Sequence, residues 1–164
     1  CFVNLNSDIA KVSNEINAVV VNDSVIGKNI FEGPGAGAGP TGASVMSDLM
    51  DIIRGTYNYP LGVSMRKKKK LKIQKIDDLS FPYYLRITAK DKAGVMAKIS
   101  KALSKRKISI ESIIQKPSKR SNFAEIILIT HTVKESSLLS SIKQIKRLPE
   151  VSSSVKFIRI EDSL

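Results

Sequence analysis

The chain has 164 residues and a mass of 18.0 kDa, room for one domain of ordinary size or two small ones. Its apolar fraction of 42% and charged fraction of 26% fit a soluble globular chain rather than a disordered one. One cysteine and one histidine exclude an internal disulfide and a thiolate zinc cluster, and leave little material for metal or His-based nucleophilic catalysis.

Lys and Arg number 27 against 15 Asp and Glu, a net charge of +12. Residues 1–60 hold 3 of the basic and 6 of the acidic side chains, and residues 61–164 hold the remaining 24 and 9. A shift of that size near residue 60 predicts two units. No apolar run approaches the roughly 18 residues of a transmembrane helix, so no membrane contact is expected. The opening Cys1-Phe2-Val3-Asn4-Leu5-Asn6-Ser7 has no basic segment followed by an apolar stretch, which speaks against a signal peptide. With no initiator Met, the sequence reads as a fragment or a processed piece.

In chain order, Asn17-Ala18-Val19-Val20-Val21 is a β-branched run and predicts a strand. Asn22-Asp23-Ser24 has turn chemistry, and Val25 to Phe31 reads as the returning strand of a hairpin. A loop of small residues, Gly33 to Gly42, follows. Val45, Leu49, Ile52 and Ile53 recur at i, i+4, i+7 and i+8, which predicts a helix over about 43–54, stopped at Gly55. Residues 56–82 lack a clean period. They read as a connector with a short strand at Leu71-Lys72-Ile73.

Beyond it the periods are clearer. Tyr84 to Ala89 alternates as a strand. Asp91-Lys92-Ala93-Gly94 is a turn whose Asp suits a helix N-terminus, and Val95, Ile99, Ala102 and Leu103 form a helical apolar stripe. Ile108 to Ile114 is a second strand, ended by Pro117; a polar loop over 118–122 precedes a third strand from Phe123 to Thr130. Thr132-Val133-Lys134-Glu135 has capping-box spacing. Leu138, Ile142 and Ile145 mark a second helix closed by Pro149, and Val151 to Ile160 is a fourth strand. The order βαββαβ is the split βαβ of ferredoxin-like folds, so the fold class is α+β, with a hairpin and helix ahead of it.

Three features bear on chemistry. The run Arg66-Lys67-Lys68-Lys69-Lys70 could meet nucleic acid or acidic lipid. It has no interleaved aromatics for stacking, and a solvated linker is the better reading. Gly37-Ala38-Gly39-Pro40-Thr41-Gly42 matches G-x-G-x-x-G before a helix. The further βα units of a dinucleotide-binding fold do not follow, which rejects a self-contained cofactor domain. The string serves equally as a packing turn or as a place where a ligand approaches backbone, with free N–H groups from a helix opening at Ala43. The turn Asp91 to Met96 could present N–H groups to a small carboxylate, though most such turns are ordinary caps. His131, at the end of an apolar strand with no ligand set around it, reads as structural; Asp48 and Asp51, three apart on a helix, read as a solvated or capping face. The third strand lacks an RNA-recognition pattern.

Val19-Val20-Val21, then Gly33-Pro34-Gly35-Ala36-Gly37-Ala38-Gly39-Pro40-Thr41, then Asp48-Leu49-Met50-Asp51-Ile52 resemble the end of the catalytic domain of homoserine dehydrogenases. Asp91 to Ile99, with Ile108 to Lys116, resembles an ACT regulatory domain. The resemblance covers almost the whole chain. It implies three regions: residues 1–60 as the tail of the catalytic domain, 61–82 as a basic linker and 83–164 as the ACT domain. It implies NAD- or NADP-dependent interconversion of aspartate 4-semialdehyde and homoserine, on the route to threonine and methionine. The nucleotide domain and the catalytic lysine and acid lie upstream, so no catalytic residue and no metal ligand is expected here. By the same resemblance Gly35, Gly37 and Gly39 lie against the cofactor, with Gly37 nearest. Threonine is the implied effector, held by N–H groups of Gly94, Val95 and Met96, with Asp91 facing its amine and Ser109 contributing from the second strand. Ala93 stands where the family usually has Pro, and Lys107 where Gly or Asn is usual, at an expected left-handed position. ACT domains pair through their sheets, which implies a homo-oligomer in the cytoplasm and no nucleic-acid partner. A stand-alone amino-acid-binding module is the alternative, and a basic nucleic-acid binder is a third reading.

Overall fold

The computed structural model describes residues 1–55, 72–118 and 122–161. The Arg66–Lys70 run therefore lies outside the described residues, as do Leu71 and most of the 118–122 loop. The chain divides into two units: one takes Cys1–Val3 and the residues from Gln74 onward, the other lies within Asn4–Ile73.

The unit of Asn4–Ile73 starts with a single 3-10 turn at Asp8–Lys11. The hairpin β2 (Ile16–Asp23) and β3 (Gly27–Pro34) follows, paired in register from Ile16↔Pro34 to Asp23↔Gly27. The turn is not where the β-branched run suggests. Val25 and Ile26 belong to it rather than to the returning strand, and they are exposed. Asp23 accepts their N–H groups at 2.7 and 3.3 Å, and Gly27 closes the loop at φ 73°. A carboxylate that satisfies two turn N–H groups and a glycine free to adopt positive φ outweigh the strand preference of Val and Ile.

Helix α1 runs Ala38–Arg54, five residues earlier than the periodicity predicts. Gly37 is its N-cap and Thr41 N–H makes the first helical bond, to Gly37 O at 3.1 Å. Pro40 is tolerated because N–H groups of the first turn have no helical partner. Gly55, at φ 67°, ends the helix as expected.

The second unit is the expected ferredoxin-like fold. Its strands are β5 (Tyr83–Lys90), β6 (Ile110–Pro117), β7 (Phe123–Thr130) and β9 (Val151–Glu161). Helices α2 (Val95–Ser104) and α3 (Glu135–Ile145) cover one face. Strict alternation buries Tyr83, Leu85, Ile87 and Ala89 of β5, and Ala124, Ile126 and Leu128 of β7. These pack with Val95, Ile99 and Leu103 of α2 and with Leu138, Ile142 and Ile145 of α3. The Ser141 hydroxyl donates to Ala102 O at 3.3 Å and ties the two helices together. The sheet also has a member that no period announces: β1 (Phe2–Val3) pairs parallel with β9, giving the order β1-β9-β5-β7-β6.

Two further short strands, β4 (Ser80–Phe81) and β8 (Val133–Lys134), pair separately. Lys72 and Ile73 are not in a strand. The capping box at Thr132 does not form. Lys134 is the N-cap of α3 with no side-chain cap bond. The Glu135 carboxylate is drawn inward instead, accepting from the Tyr83 hydroxyl at 3.0 Å and from Arg159 Nε and a terminal Arg159 nitrogen at 2.6 Å each. Two-pronged pairing with a guanidinium is stronger than a reach back to one backbone N–H.

Candidate functional site

The glycine string sits where β3 passes into α1, and its three candidate residues differ in what they need. Gly37 has φ 118° and ψ 145°, backbone that side-chain-bearing residues rarely adopt. A Cβ on Gly35 would meet the Asn17 side chain at 1.9 Å, so close packing inside the unit already accounts for that glycine. A Cβ on Gly39 would meet nothing within 4 Å. The N–H groups of Ala38 and Gly39 precede the first helical bond, and Pro40 has none. The N-terminal donors therefore come from Ala38 and Gly39, not from Ala43. Among the described residues nothing lies against the outer side of Gly39, so the turn leaves room for a ligand to approach backbone there. No side chain of α1 is buried, and its apolar stripe lies open, with Val45 at 53% and Ile53 at 77% exposure.

The turn between β5 and α2 is the second candidate. Gly94 is the N-cap of α2 at φ 84°, and Lys98 N–H bonds its carbonyl at 3.1 Å. Val95 N–H already donates to Lys92 O at 3.3 Å, which leaves Gly94 and Met96 as the freer donors. Asp91 is four residues ahead of the helix and does not cap it. Its N–H bonds Asn122 O at 3.0 Å, and its carboxylate accepts from the Gln115 amide at 3.2 Å.

Ser109 is not brought to this turn within one protomer. Lys90 pairs with Phe123, while Ile110 pairs with Thr130. Strands β5 and β6 thus run the same way on either side of β7, and Ser109 stands at the end of the sheet opposite Asp91. Ser109 O accepts from His131 N–H at 3.1 Å, so both residues help close that far end. Gln115 is the residue of the second strand that reaches the turn, and no spacing in the sequence marks it. Lys107 has φ 57°, the left-handed conformation expected of its position.

The strongest electrostatic cluster is Tyr83–Glu135–Arg159. Hydrogen bonding to Arg159 holds the Glu135 carboxyl below its ordinary value despite burial. Burial, then the bond to Glu135, pushes the Tyr83 phenol up to about 12. Tyr83 and Glu135 are enclosed, and Arg159 is one-third exposed with its charge held by Glu135, so the cluster reads as structural. Among the described residues no group of three or more His, Cys, Asp or Glu could hold a metal. Among them, too, no helix is long and apolar enough to cross a membrane.

Comparison with known proteins adds independent observations. The family model for the homoserine dehydrogenase matches residues 1–50, and that for the ACT domain matches residues 83–150. The chain is 34% identical to the homoserine dehydrogenase of Helicobacter pylori over 94% of its own length and 36% of that protein. It is 38% identical to that of Pseudomonas aeruginosa, over 93% of its own length and 37% of that protein. The crystal structure of a homoserine dehydrogenase from Thiobacillus denitrificans superposes with a TM-score of 0.81 at 30% identity, covering 98% of this chain and 37% of that one. The chain thus spans a little over a third of the length of the relatives it matches.

Proposed function

This chain belongs to the homoserine dehydrogenase family, with an ACT domain as its second unit, and from that premise we propose that it forms the C-terminal, regulated portion of such an enzyme. The reaction would be the NAD- or NADP-dependent interconversion of aspartate 4-semialdehyde and homoserine in the cytoplasm. When bound, the nicotinamide cofactor supplies or accepts the hydride. The residues of this chain play a passive part: Gly37 and Gly39 let the cofactor approach backbone, and the Ala38 and Gly39 N–H groups favour its negative charge.

The observation that carries the reading is the pairing, in one unit, of an open glycine turn with an unburied apolar helix stripe. A lone hairpin and one helix are marginal in water. The relatives are more than twice as long, and chain beyond the matched third would cover such a stripe and hold the nucleotide. The test joins this chain to the upstream two-thirds of its gene. The 164 residues alone should give no homoserine-dependent reduction of NAD or NADP, and the joined protein should. Activity in the short chain would refute the assignment.

For the ACT unit we propose threonine as effector. Its carboxylate meets the Gly94 and Met96 N–H groups and its amine meets Asp91, with Val95 shaping the turn. Ser109 would contribute from a second copy, since within one protomer it stands at the opposite end of the sheet. Threonine would control the enzyme by binding one arrangement of a homo-oligomer better than another. Calorimetry with threonine on the joined protein tests this: Ser109→Ala and Asp91→Asn should each weaken binding several-fold. Absence of any heat with threonine removes the effector assignment while leaving the enzymatic one standing.

A further inference from the structure

The face of the ACT sheet opposite the helices carries an arrangement that neither the effector turn nor the glycine string uses. Strand parity places Phe2, Tyr84, Arg86, Lys156 and Ile158 on this face. Tyr84 is the cross-strand partner of Ile158, and Arg86 is the partner of Lys156. The Phe2 ring stands edge-on to Tyr84, with centroids 5.4 Å apart and planes at 77°. Together with Phe157 these residues line a cleft of about 360 Å³.

Two cations directly opposite each other across a strand pair repel. Among the described residues neither Arg86 nor Lys156 makes an ion pair. The nearest carboxylate on the same face by register is Glu125, whose partners are Thr88 and Lys116, diagonal to Arg86. Arg86 and Lys156 are exposed, whereas Tyr84 and Ile158 are half-buried. The lining of the cleft therefore offers two cations without an ion-pair partner at one end and an aromatic and aliphatic wall at the other. β1 completes that wall: among the described residues Phe2 is the aromatic neighbour of the Tyr84 ring.

We propose that this cleft binds a small organic anion with an aromatic or branched apolar body and no ammonium group. Its carboxylate sits between Arg86 and Lys156, and its body lies against Phe2, Tyr84 and Ile158. The missing ammonium is part of the recognition. The effector turn has Asp91 to receive an amine; this cleft has only cations where a free amino acid would have to place one. Selectivity thus runs opposite to that of an amino-acid site, and the two sites lie apart, since Arg86 is in mid-strand and Asp91 follows the end of β5. The proposal does not depend on the enzymatic reading.

The probe is phenylacetate, titrated calorimetrically into the full chain, with L-phenylalanine and benzyl alcohol as comparisons that add an ammonium or remove the charge. Phenylacetate should bind saturably, and at least about tenfold more tightly than either comparison. Arg86→Gln and Lys156→Gln should each weaken it by about fivefold or more, and Phe2→Ala should do so without altering the preference over benzyl alcohol. Thermal melting of the free variants guards against misfolding: Lys156→Gln should melt no lower than the parent, because it removes a repulsion. Equal binding of phenylacetate and phenylalanine overturns the proposal, as does binding indifferent to both Gln variants. So does a dimer that Ile158→Lys dissociates and that takes up no phenylacetate, which assigns the face to a second copy.

Discussion

Lys107 holds a backbone conformation that suits glycine, and the sequence alone pointed there because a Lys stands where the resembling family has Gly or Asn. A side chain at positive φ costs about 1–2 kcal/mol, part of which glycine gives back as chain entropy in the unfolded state. Lys107→Gly should therefore raise stability by roughly 1 kcal/mol, read as a higher midpoint in urea. Glu135 shows the opposite limit of legibility. Its spacing from Thr132 suggests a cap, yet Arg159 and Tyr83, from strands far away in sequence, claim its carboxylate. Because its pKa is depressed in the folded state, the stability it contributes is present above the ordinary value of 4.5 and is lost as pH falls through the folded value. Glu135→Gln should flatten the fall of stability below that pH, and Glu135→Ala should cost about 3 kcal/mol by leaving Arg159 without its partner. Tyr83 acts on the alkaline side: with its phenol raised from 10.0 to about 12, its contribution fades only as pH climbs through that interval.

At the level of elements, alternation located β5, apolar runs bounded by turn residues located β6, β7 and β9, and helical stripes located both helices of the ACT unit; where one face is buried, it imposes period 2 or 3.6 on the side chains. Leu128, fully enclosed on β7 between β5 and β6, is the kind of residue such a period identifies; Leu128→Ala should cost about 3 kcal/mol, measured by chemical denaturation. Boundaries were less legible. The start of α1 was missed because its first turn is Ala38-Gly39-Pro40-Thr41, which no apolar residue marks and whose propensities are poor. Gly37 supplies the entry, and Gly37→Ala should destabilise the hairpin and helix by about 2 kcal/mol, visible as lost helicity in circular dichroism. The hairpin turn slipped by two residues because Asp23 gathers the N–H groups of Val25 and Ile26, a local bond that hydropathy cannot register.

Across the whole molecule the chain leaves the ACT unit after Val3 and re-enters it at Gln74, so the unit is closed by residues from both sides of the hairpin and helix. Removing residues 1–3 should lower the melting temperature of the ACT unit by about 4 °C, the loss of one edge pairing and of the Phe2–Tyr84 contact. Had those residues merely led into the hairpin, the melting temperature would not move. The two-part division of charge, the βαββαβ order and the family likeness were all legible from the residues alone, since each is written in local composition or in periods of a few residues. Tertiary structure alone decided that Phe2 and Val3 join a sheet whose other strands begin eighty residues later. It alone decided that Gln115 rather than Ser109 meets Asp91, and that Arg86 faces Lys156. Those pairings are set by strand register between distant segments, and register leaves no mark in the spacing of either segment taken alone.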